Sequence, residues 1–357
     1  MPDTVSHDLA RALEQAADRA ARAPSVHNTQ PWRIELQPDH LVLRDDPSRQ
    51  LKVLDPQGRE LVQSVGAALF NIRVSLAASG WAVEVDRLPD PGDPDLLAVV
   101  RPVAGPPDAV LAALAPAIDR RRTNRRAFLS APVPDAVIQG LASSSEAEGA
   151  LLVPVLTAAH RQLIARATQQ ADRIQNADPA YRAELRTWTN RPPEAGDGVP
   201  PVAVPHVDGL QQDDVPIRDF DTAGAGALSP ETHSSADQTM VLLSTRTDDR
   251  LAWLRAGEAL ERVLLELTAS DWVAGPLTQP IEVPLTRTQL RAALTWDAHP
   301  QMLLRIGKAA PTARTPRRPR SDVVVNSRRP EQVPAVPPQE PTARRPVPDG
   351  RGGTTWV

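Results

Sequence analysis

The sequence predicts an α+β protein made of two homologous halves, each with a mixed sheet flanked by helices, fused as an internal pseudo-dimer. Three observations carry this prediction. Helical and strand-like patterns alternate along the chain, one segment recurs far downstream, and 357 residues suffice for two units of ordinary size. The expected units are residues 1–118 and 119–327, followed by a tail at 328–357 that we expect to be disordered because it lacks apolar periodicity.

The first half has the clearest local patterns. Apolar residues at helical spacing predict a helix over residues 7–22, and a Pro- and Asn-containing turn at 23–32 ends it. The remaining predicted elements are strands at 33–36 and 41–44, a long helix from Gly58 to about Ser79, strands at 82–88 and 96–102, and a helix at 108–120.

The recurring segment covers residues 66–81, which align without a gap with 257–272 at a constant offset of 191. Seven positions are identical, among them the pairs Gly66/Gly257 and Trp81/Trp272. Solenoid repeats recur at about 20–50 residues, so this spacing indicates a duplicated domain. Two apolar helices that converged by composition are the alternative. A twofold dimer builds two equivalent sites, and after fusion one of them can be lost.

Composition excludes several kinds of site. The absence of cysteine rules out disulfides, thiolate metal sites and iron–sulfur clusters, and the seven scattered histidines predict no metal site. A net charge of −4 argues against nucleic acid or an acidic membrane surface as a partner. The polar N-terminus and the lack of a long apolar run predict a cytoplasmic protein with no membrane span.

The turn at residues 23–32 reads APSVHNTQPW. Short hydrogen-bonding side chains between two prolines can direct N–H groups and an amide at a ligand, and Trp32 could form a wall for a flat heterocycle. The segment resembles the Pro-Ser-x-x-Asn-x-Gln-Pro-Trp signature of the flavin-dependent nitroreductase family, which lies against a flavin held by the partner subunit. The resemblance implies that these residues bind flavin mononucleotide (FMN): Pro24, Ser25, His27, Asn28 and Gln30. A local structural role is the alternative for His27.

Residues 120–126 contain five arginines, which repel one another unless an anion lies among them. The segment resembles the Arg-x-Ser-x-Arg/Lys…Phe motif that holds the FMN phosphate and ribityl chain in nitroreductases. Two registers remain open: one aligns Arg122, Asn124 and Arg126, and the other, with one inserted residue, aligns Arg121, Thr123 and Arg125. The residues assigned to FMN are Arg122, Thr123, Asn124 and Arg126. A solvated basic surface is the alternative.

Two shorter matches complete the resemblance, which covers roughly residues 7–325 and is nearest to the Acg-type actinobacterial group. Arg317 matches an arginine that also reaches the phosphate, and Leu277 lies in a stretch similar to one that passes near flavin N5. The implied activity is reduction of nitro compounds or quinones, with NAD(P)H as the electron donor and FMN as the cofactor. The flavin performs the hydride chemistry, so no acid–base pair is required.

Residues 178–225 lie in a long Pro- and Asp-rich insertion, which we interpret as a lid over the flavin; a disordered linker is the alternative. A sealed lid would make the chain an FMN-sequestering or stress protein with little turnover. A cofactor-free structural protein is the third hypothesis. We expect either a monomeric pseudo-dimer or a homodimer that acts on a small-molecule electron acceptor.

Overall fold

The computed structural model describes residues 2–125, 128–129, 131–189, 191–200, 203, 215, 218, 220, 238–310, 312–326, 346–348 and 354–356. The predicted elements of the first half are confirmed as α1 (Pro2–Ala20), β1 (Trp32–Leu36), β2 (Leu41–Asp45), α2 (Arg59–Ala78), β3 (Ala82–Arg87) and β4 (Leu96–Val103). The helix predicted at 108–120 is two short helices, α3 (Ala109–Ala113) and α4 (Ala115–Arg120). Pro116 lies in the first turn of α4, and because it lacks an N–H it cannot continue the bonding of α3.

The rest of the chain alternates in the same way. Its elements are α5 (Asp135–Ala147), β5 (Leu151–Pro154), α6 (Ala158–Ala177), α7 (Pro179–Trp188), β6 (Thr239–Thr245), α8 (Arg250–Ala269), β7 (Val273–Pro276), α9 (Gln279–Glu282), α10 (Pro284–Leu290), a π-helical turn (Arg291–Thr295), β8 (His299–Gly307), α11 (Arg320–Val323) and β9 (Val324–Asn326). In the tail expected to be disordered, β10 (Pro346–Pro348) pairs with β11 (Thr354–Trp356), so these six residues depart from that expectation. The other tail residues lie outside the described part.

The two sheets follow one plan, although only the first contains a parallel pair among the described strands. The first sheet has the order β3-β4-β2-β1-β9 and the second β7-β8-β6-β5, so the first four strands of each half occur in the same spatial order. Neighbouring strands pair antiparallel in both sheets. Both also have a register shift at the corresponding strand pair: after Leu43 between β2 and β4, and after Leu243 between β6 and β8. The parallel pairing of β1 with β9 is the exception. The final strand of the expected second unit therefore belongs to the first sheet.

Helices α2 and α8 cross at the two glycines of the sequence repeat. A Cβ on Gly66 would lie 2.1 Å from the Leu254 carbonyl oxygen, and a Cβ on Gly257 would lie 2.0 Å from the Gln63 carbonyl oxygen. The two contacts exchange under the 191-residue offset, because Leu254 corresponds to Gln63. Glycine is therefore required at both positions for the backbones to approach so closely.

Helix α2 lies at the centre of the molecule. It is long and apolar enough to cross a membrane, yet 89% of its apolar stretch is buried within the protein itself. It packs on α1 and on the first sheet, and α8 closes its other side. Helix α2 also contacts the turn at 23–32, and helix α8 contacts β7. These two regions carry the predicted site.

Candidate active site

The turn at 23–32 has unusual backbone geometry. His27, Asn28 and Gln30 have positive φ angles of 44°, 57° and 51°, a conformation that costs free energy for side chains other than glycine. Hydrogen bonds compensate for it: the Ser25 hydroxyl oxygen accepts the N–H of Gln30 at 2.9 Å, and the Ser64 hydroxyl oxygen on α2 accepts the N–H of Val26 at 3.1 Å. Such strain is typical of functional sites.

Two side chains of this turn bind other segments of the chain. The Asn28 amide donates to the carbonyl oxygens of Gly198 (2.9 Å) and Pro316 (3.1 Å). The Gln30 amide donates to Gly196 and its oxygen accepts the N–H of Arg318. Gln30 lines neither cavity described below, so the structure places it as a support of the surrounding loops, whereas we expected it to bind the cofactor.

Trp32 is also placed differently from the expectation. Its side chain is fully buried in the core beneath the first sheet, because β1 alternates inward and outward and Trp32 points inward with Ile34 and Leu36. It therefore forms no wall of a ligand site.

The arginine segment runs beside β7. Thr123 forms a bridge with Ala274, and the Asn124 N–H donates to the Ala274 carbonyl oxygen at 3.0 Å. A Cβ on Gly275 would lie 2.4 Å from the Asn124 carbonyl oxygen, so glycine permits this approach. Arg126 lies outside the described residues.

Two adjoining cavities lie between the halves. The larger, which we call the ring cavity, has a volume of about 1060 Å³. The smaller, which we call the arginine cavity, has a volume of about 570 Å³. The two share lining residues from both halves of the chain: Pro24, Ser25, Thr123 and Arg125. The ring cavity is mainly apolar and the arginine cavity mainly polar, so together they suit a ligand with a large apolar part and a smaller polar part.

The arginine cavity is strongly cationic. Its lining includes six arginines: Arg22, Arg121, Arg122, Arg125, Arg314 and Arg317. Asp119 is the one carboxylate in that lining. Burial, together with neighbouring arginines, lowers the pKa of Arg317 to about 9 and that of Arg125 to about 10. These charges repel one another, so an anion of high charge density would be stabilised among them.

Buried donors in this region have no acceptor within the described part of the chain. They are Nη1 of Arg121, Nη1 of Arg125 and Nε of Arg317. Arg317 is otherwise held by the Asn28 side-chain oxygen at 3.1 Å and by the carbonyl oxygens of Arg22 and Ala23. Guanidinium donors and the Thr123 hydroxyl fit the oxygens of a phosphate monoester.

The structure brings most of the predicted residues together. Pro24, Ser25, Asn28, Arg122, Thr123 and Arg317 line the arginine cavity, and His27 and Leu277 line the ring cavity. Asn124 is buried and lines neither. Arg22 and Arg314 were not predicted from the sequence, because an arginine at a helix end or in a basic stretch carries no local signal of a ligand.

The ring cavity is mainly apolar. Its walls include Leu260, Leu264, Leu277, Met302 and Leu304. His27 faces it in the neutral form, because burial and the charges of Arg218 and Arg125 hold its pKa well below the usual value. Such walls suit a planar, weakly polar ring system.

The described part of the insertion covers this cavity. Arg218 and Phe220 line it, and the Phe220 ring lies edge-on to His27 with the centroids 5.7 Å apart. Arg218 donates to both Glu282 carboxylate oxygens, at 2.5 and 2.6 Å, and to the Tyr181 hydroxyl at 2.7 Å. These buried bonds fix the insertion against α7 and α9.

Among the residues that the structure describes, no group of three or more His, Asp and Glu side chains is arranged to hold a metal ion. The donors of the site are guanidinium, hydroxyl and amide groups. The chemistry of the site is thus that of an organic anion with an apolar ring.

Comparison with known proteins identifies the relatives of this chain. It is 41% identical over 312 residues to "Putative NAD(P)H nitroreductase Rv3131" of Mycobacterium tuberculosis, covering 85% of this chain and 88% of that protein. It is 34% identical over 332 residues to "Putative NAD(P)H nitroreductase acg" of the same organism, covering 90% and 97%. No protein-family model matches the chain.

Solved structures match more distantly. An FMN-dependent nitroreductase, NfnB from Mycobacterium smegmatis in complex with NADPH, is 18% identical with a TM-score of 0.35, covering 60% of this chain and 97% of that one. The assignment therefore depends on the sequence relatives, which exceed 30% identity over most of both chains. The chain belongs to the family of NAD(P)H nitroreductases that includes Acg.

Proposed function

We propose that this protein is an FMN-dependent oxidoreductase that uses NAD(P)H to reduce nitro compounds or quinones. One observation carries the proposal: an apolar cavity of ring size joins a cavity lined by six arginines, with residues of both halves at the junction. FMN has the matching chemistry, a planar ring linked to a phosphate dianion. Two relatives named as NAD(P)H nitroreductases support the electron donor.

The residues present fit FMN. Arg121, Arg125 and Arg317 would bind the phosphate, Thr123 and Ser25 lie between phosphate and ring, and Leu277 would face the ring. This assignment favours the register with Arg121, Thr123 and Arg125, because Thr123 and Arg125 line both cavities. When bound, the flavin supplies hydride transfer, while the protein binds, orients and shields the reactants.

We propose further that the molecule is an internal pseudo-dimer with one active site. The common strand order and the reciprocal glycine contacts support this symmetry. At the 191-residue offset, Ala67 and Leu264 of the ring cavity correspond to Glu258 and Arg73. Those two form an ion pair at 2.8 Å, and Arg87 also binds Glu258. Charged groups thus fill the symmetry-related position, where a second flavin ring would lie.

FMN sequestration is the second candidate function. It is favoured by the burial of Arg218 and Phe220 over the ring cavity and by the bidentate pair of Arg218 with Glu282. A lid held in this way would restrict the access of NAD(P)H and acceptor. We interpret residues 178–225 as that lid, and the site is complete within one cytoplasmic chain.

The experiment is an absorbance spectrum of the purified protein followed by NADH or NADPH oxidation with a nitroaromatic compound or a quinone. The proposed function predicts a yellow protein that oxidises the nicotinamide only when acceptor is present. FMN retention without turnover would support sequestration. A colourless protein that does not take up added FMN would contradict both.

A further inference from the structure

We propose that Glu60 is the proton donor of the ring cavity: its carboxyl passes a proton to an oxygen of the electron acceptor and is recharged from a second cleft behind Arg59. This inference rests on the proposed function, since it assumes that an acceptor is reduced in that cavity. It adds a catalytic residue where the flavin chemistry alone requires none.

Glu60 occupies a distinctive position at the start of α2. Its side chain is 3% exposed and lines the ring cavity. Oε1 accepts a hydrogen bond from Arg59 at 3.2 Å, whereas Oε2 is buried and has no hydrogen-bond partner among the described residues. A buried carboxyl oxygen without a partner is costly unless it bonds a ligand.

Glu60 is also the one carboxyl group in the described lining of this cavity. The other titratable groups there are His27, Arg125, Arg218 and Arg305. His27 is neutral, because its pKa is well below the usual value, and the N–H of a neutral imidazole is too weak an acid to serve as the donor. Arginine retains its proton in proteins. Glu60 is therefore the side chain best suited to deliver a proton to a ligand.

Burial, more than the surrounding charges, favours the acid form of Glu60. The neighbours are Arg59 and Asp55 on its own side, Glu282 on α9, Arg287 on α10, and Arg218 from the insertion. Glu282 holds Arg218 through both oxygens and also accepts from the Gln175 amide at 2.5 Å. Burial and the charge of Glu282 raise the pKa of Glu60 to about 8.

A second cleft lies on the far side of Arg59 from Glu60. This cleft of about 870 Å³ is lined by Asp55, Arg59, Glu282, Arg287 and His299. Arg59 bonds Glu60 and also donates to the Ile281 carbonyl oxygen at 3.2 Å, so it forms the partition between cleft and cavity. Arginine does not relay protons, so water from this cleft would recharge Glu60 when the Arg59 side chain moves aside.

Electrons and protons balance when the acceptor is a quinone. Two-electron reduction to the hydroquinone consumes one hydride, which the proposed function supplies, and one proton. The O–H bond of Glu60 breaks as an O–H bond forms on the quinone oxygen. The resulting carboxylate is stabilised by Arg59 and Arg218 and then takes a proton from the cleft.

The first test measures protonation without turnover. Infrared difference spectra of the flavin-free protein between pH 6 and pH 9 should show a protonated carboxyl band that Glu60→Gln removes. Glu14→Gln, at an exposed position on α1, should leave the band intact. If no such band is lost in Glu60→Gln, the proposal is overturned.

The second test follows the oxidative reaction alone. FMN-loaded protein is photoreduced, which avoids dependence on NAD(P)H access, and mixed with a quinone in a stopped-flow instrument. General acid catalysis contributes about 10²–10⁴-fold, so Glu60→Gln should slow this step by about 100-fold and alter its solvent isotope effect. FMN affinity should change less than about 3-fold. An unchanged rate in Glu60→Gln overturns only the donor role, whereas failure of every variant to bind FMN or reduce the quinone overturns the proposed function as well.

Discussion

Arg125 lies where the ring cavity and the arginine cavity meet, and Arg121 lies farther inside the second of these. In the other register of the arginine motif, Arg122 donates to the carbonyl oxygens of Asp119 and Arg121, so part of its donor capacity is used locally. Arg121 is also partly engaged, since it donates to the Arg22 carbonyl oxygen at 3.0 Å and pairs with Glu261 at 3.4 Å. Nη1 of Arg121 and Nη1 of Arg125 are the buried donors of this register that have no partner among the described residues.

This difference gives a direct prediction. Arg121→Gln with Arg125→Gln should weaken FMN binding by about 100-fold or more, since charge-assisted hydrogen bonds contribute about 1.5–3 kcal/mol each. Arg122→Gln with Arg126→Gln should have a smaller effect. Fluorescence titration of FMN measures both, and circular dichroism checks folding. A larger loss of FMN affinity in the Arg122→Gln/Arg126→Gln variant would favour the register that includes Arg126.

The raised pKa of Glu60 also makes the stability of the protein depend on pH. Its folded-state pKa is raised from 4.5 to about 8, so between these values the unfolded chain binds fewer protons than the folded one. Stability contributed by this group therefore falls as pH rises from about 4.5 to 8. Glu60→Gln should gain stability relative to the wild type over that window, by at most about 5 kcal/mol. Urea unfolding at pH 5 and pH 8 measures it; a constant difference would contradict the shift.

At the scale of elements, the crossing of α2 and α8 depends on two glycines. Gly66→Ala should destabilise the protein by more than about 2 kcal/mol. The new Cβ would clash with the Leu254 carbonyl oxygen, and moving backbone atoms to relieve the clash costs free energy. Gly257→Ala should behave similarly.

Helix α5 offers a matched control. A Cβ added at Gly140 would meet nothing within 4 Å, so Gly140→Ala should stabilise by about 0.5–1 kcal/mol through helix propensity. Thermal or urea unfolding compares the three variants. Equal effects at Gly66 and Gly140 would show that the close crossing does not matter for stability.

Arg218 is one of the buried contacts that hold the insertion in place. Arg218→Ala leaves Glu282 buried without its bidentate partner, which typically costs about 3–5 kcal/mol. We expect FMN to dissociate at least about 10-fold faster and proteolysis within residues 178–225 to accelerate. Arg182→Ala, on the exposed side of α7, is the control. Unchanged FMN release in Arg218→Ala would argue against a lid.

At the scale of the whole molecule, we expect one FMN per chain. The ion pair between Arg73 and Glu258 fills the position that corresponds to the ring cavity. Absorbance of released FMN against protein concentration measures the ratio. A value near two would contradict the filled second site.

Much of this architecture was predictable from the sequence. Helical and strand periodicity indicated the elements of the first half, and the paired glycines indicated the duplication that the common strand order supports. The position of β9 was not predictable, because three residues carry little pattern and their partner strand lies about 290 residues earlier.

The residues that line the two cavities were predictable where a motif marks them. Pro24, Ser25 and Thr123 were found from short patterns, whereas Arg22 and Arg218 reach the cavities only through tertiary packing. The correct placement of the arginines depends on the bridge from Thr123 to Ala274, which no local spacing reveals.

The pairing of β1 with β9 has a consequence for synthesis on the ribosome. Strand β4 ends at Val103 and β9 ends at Asn326. About 220 further residues must therefore be synthesised before β9 can pair with the β1 edge of the first sheet. At translation rates of about 5–20 residues per second, the nascent chain spends roughly 10–45 s with β1 unprotected. Chaperone demand during translation should therefore be greatest over that interval.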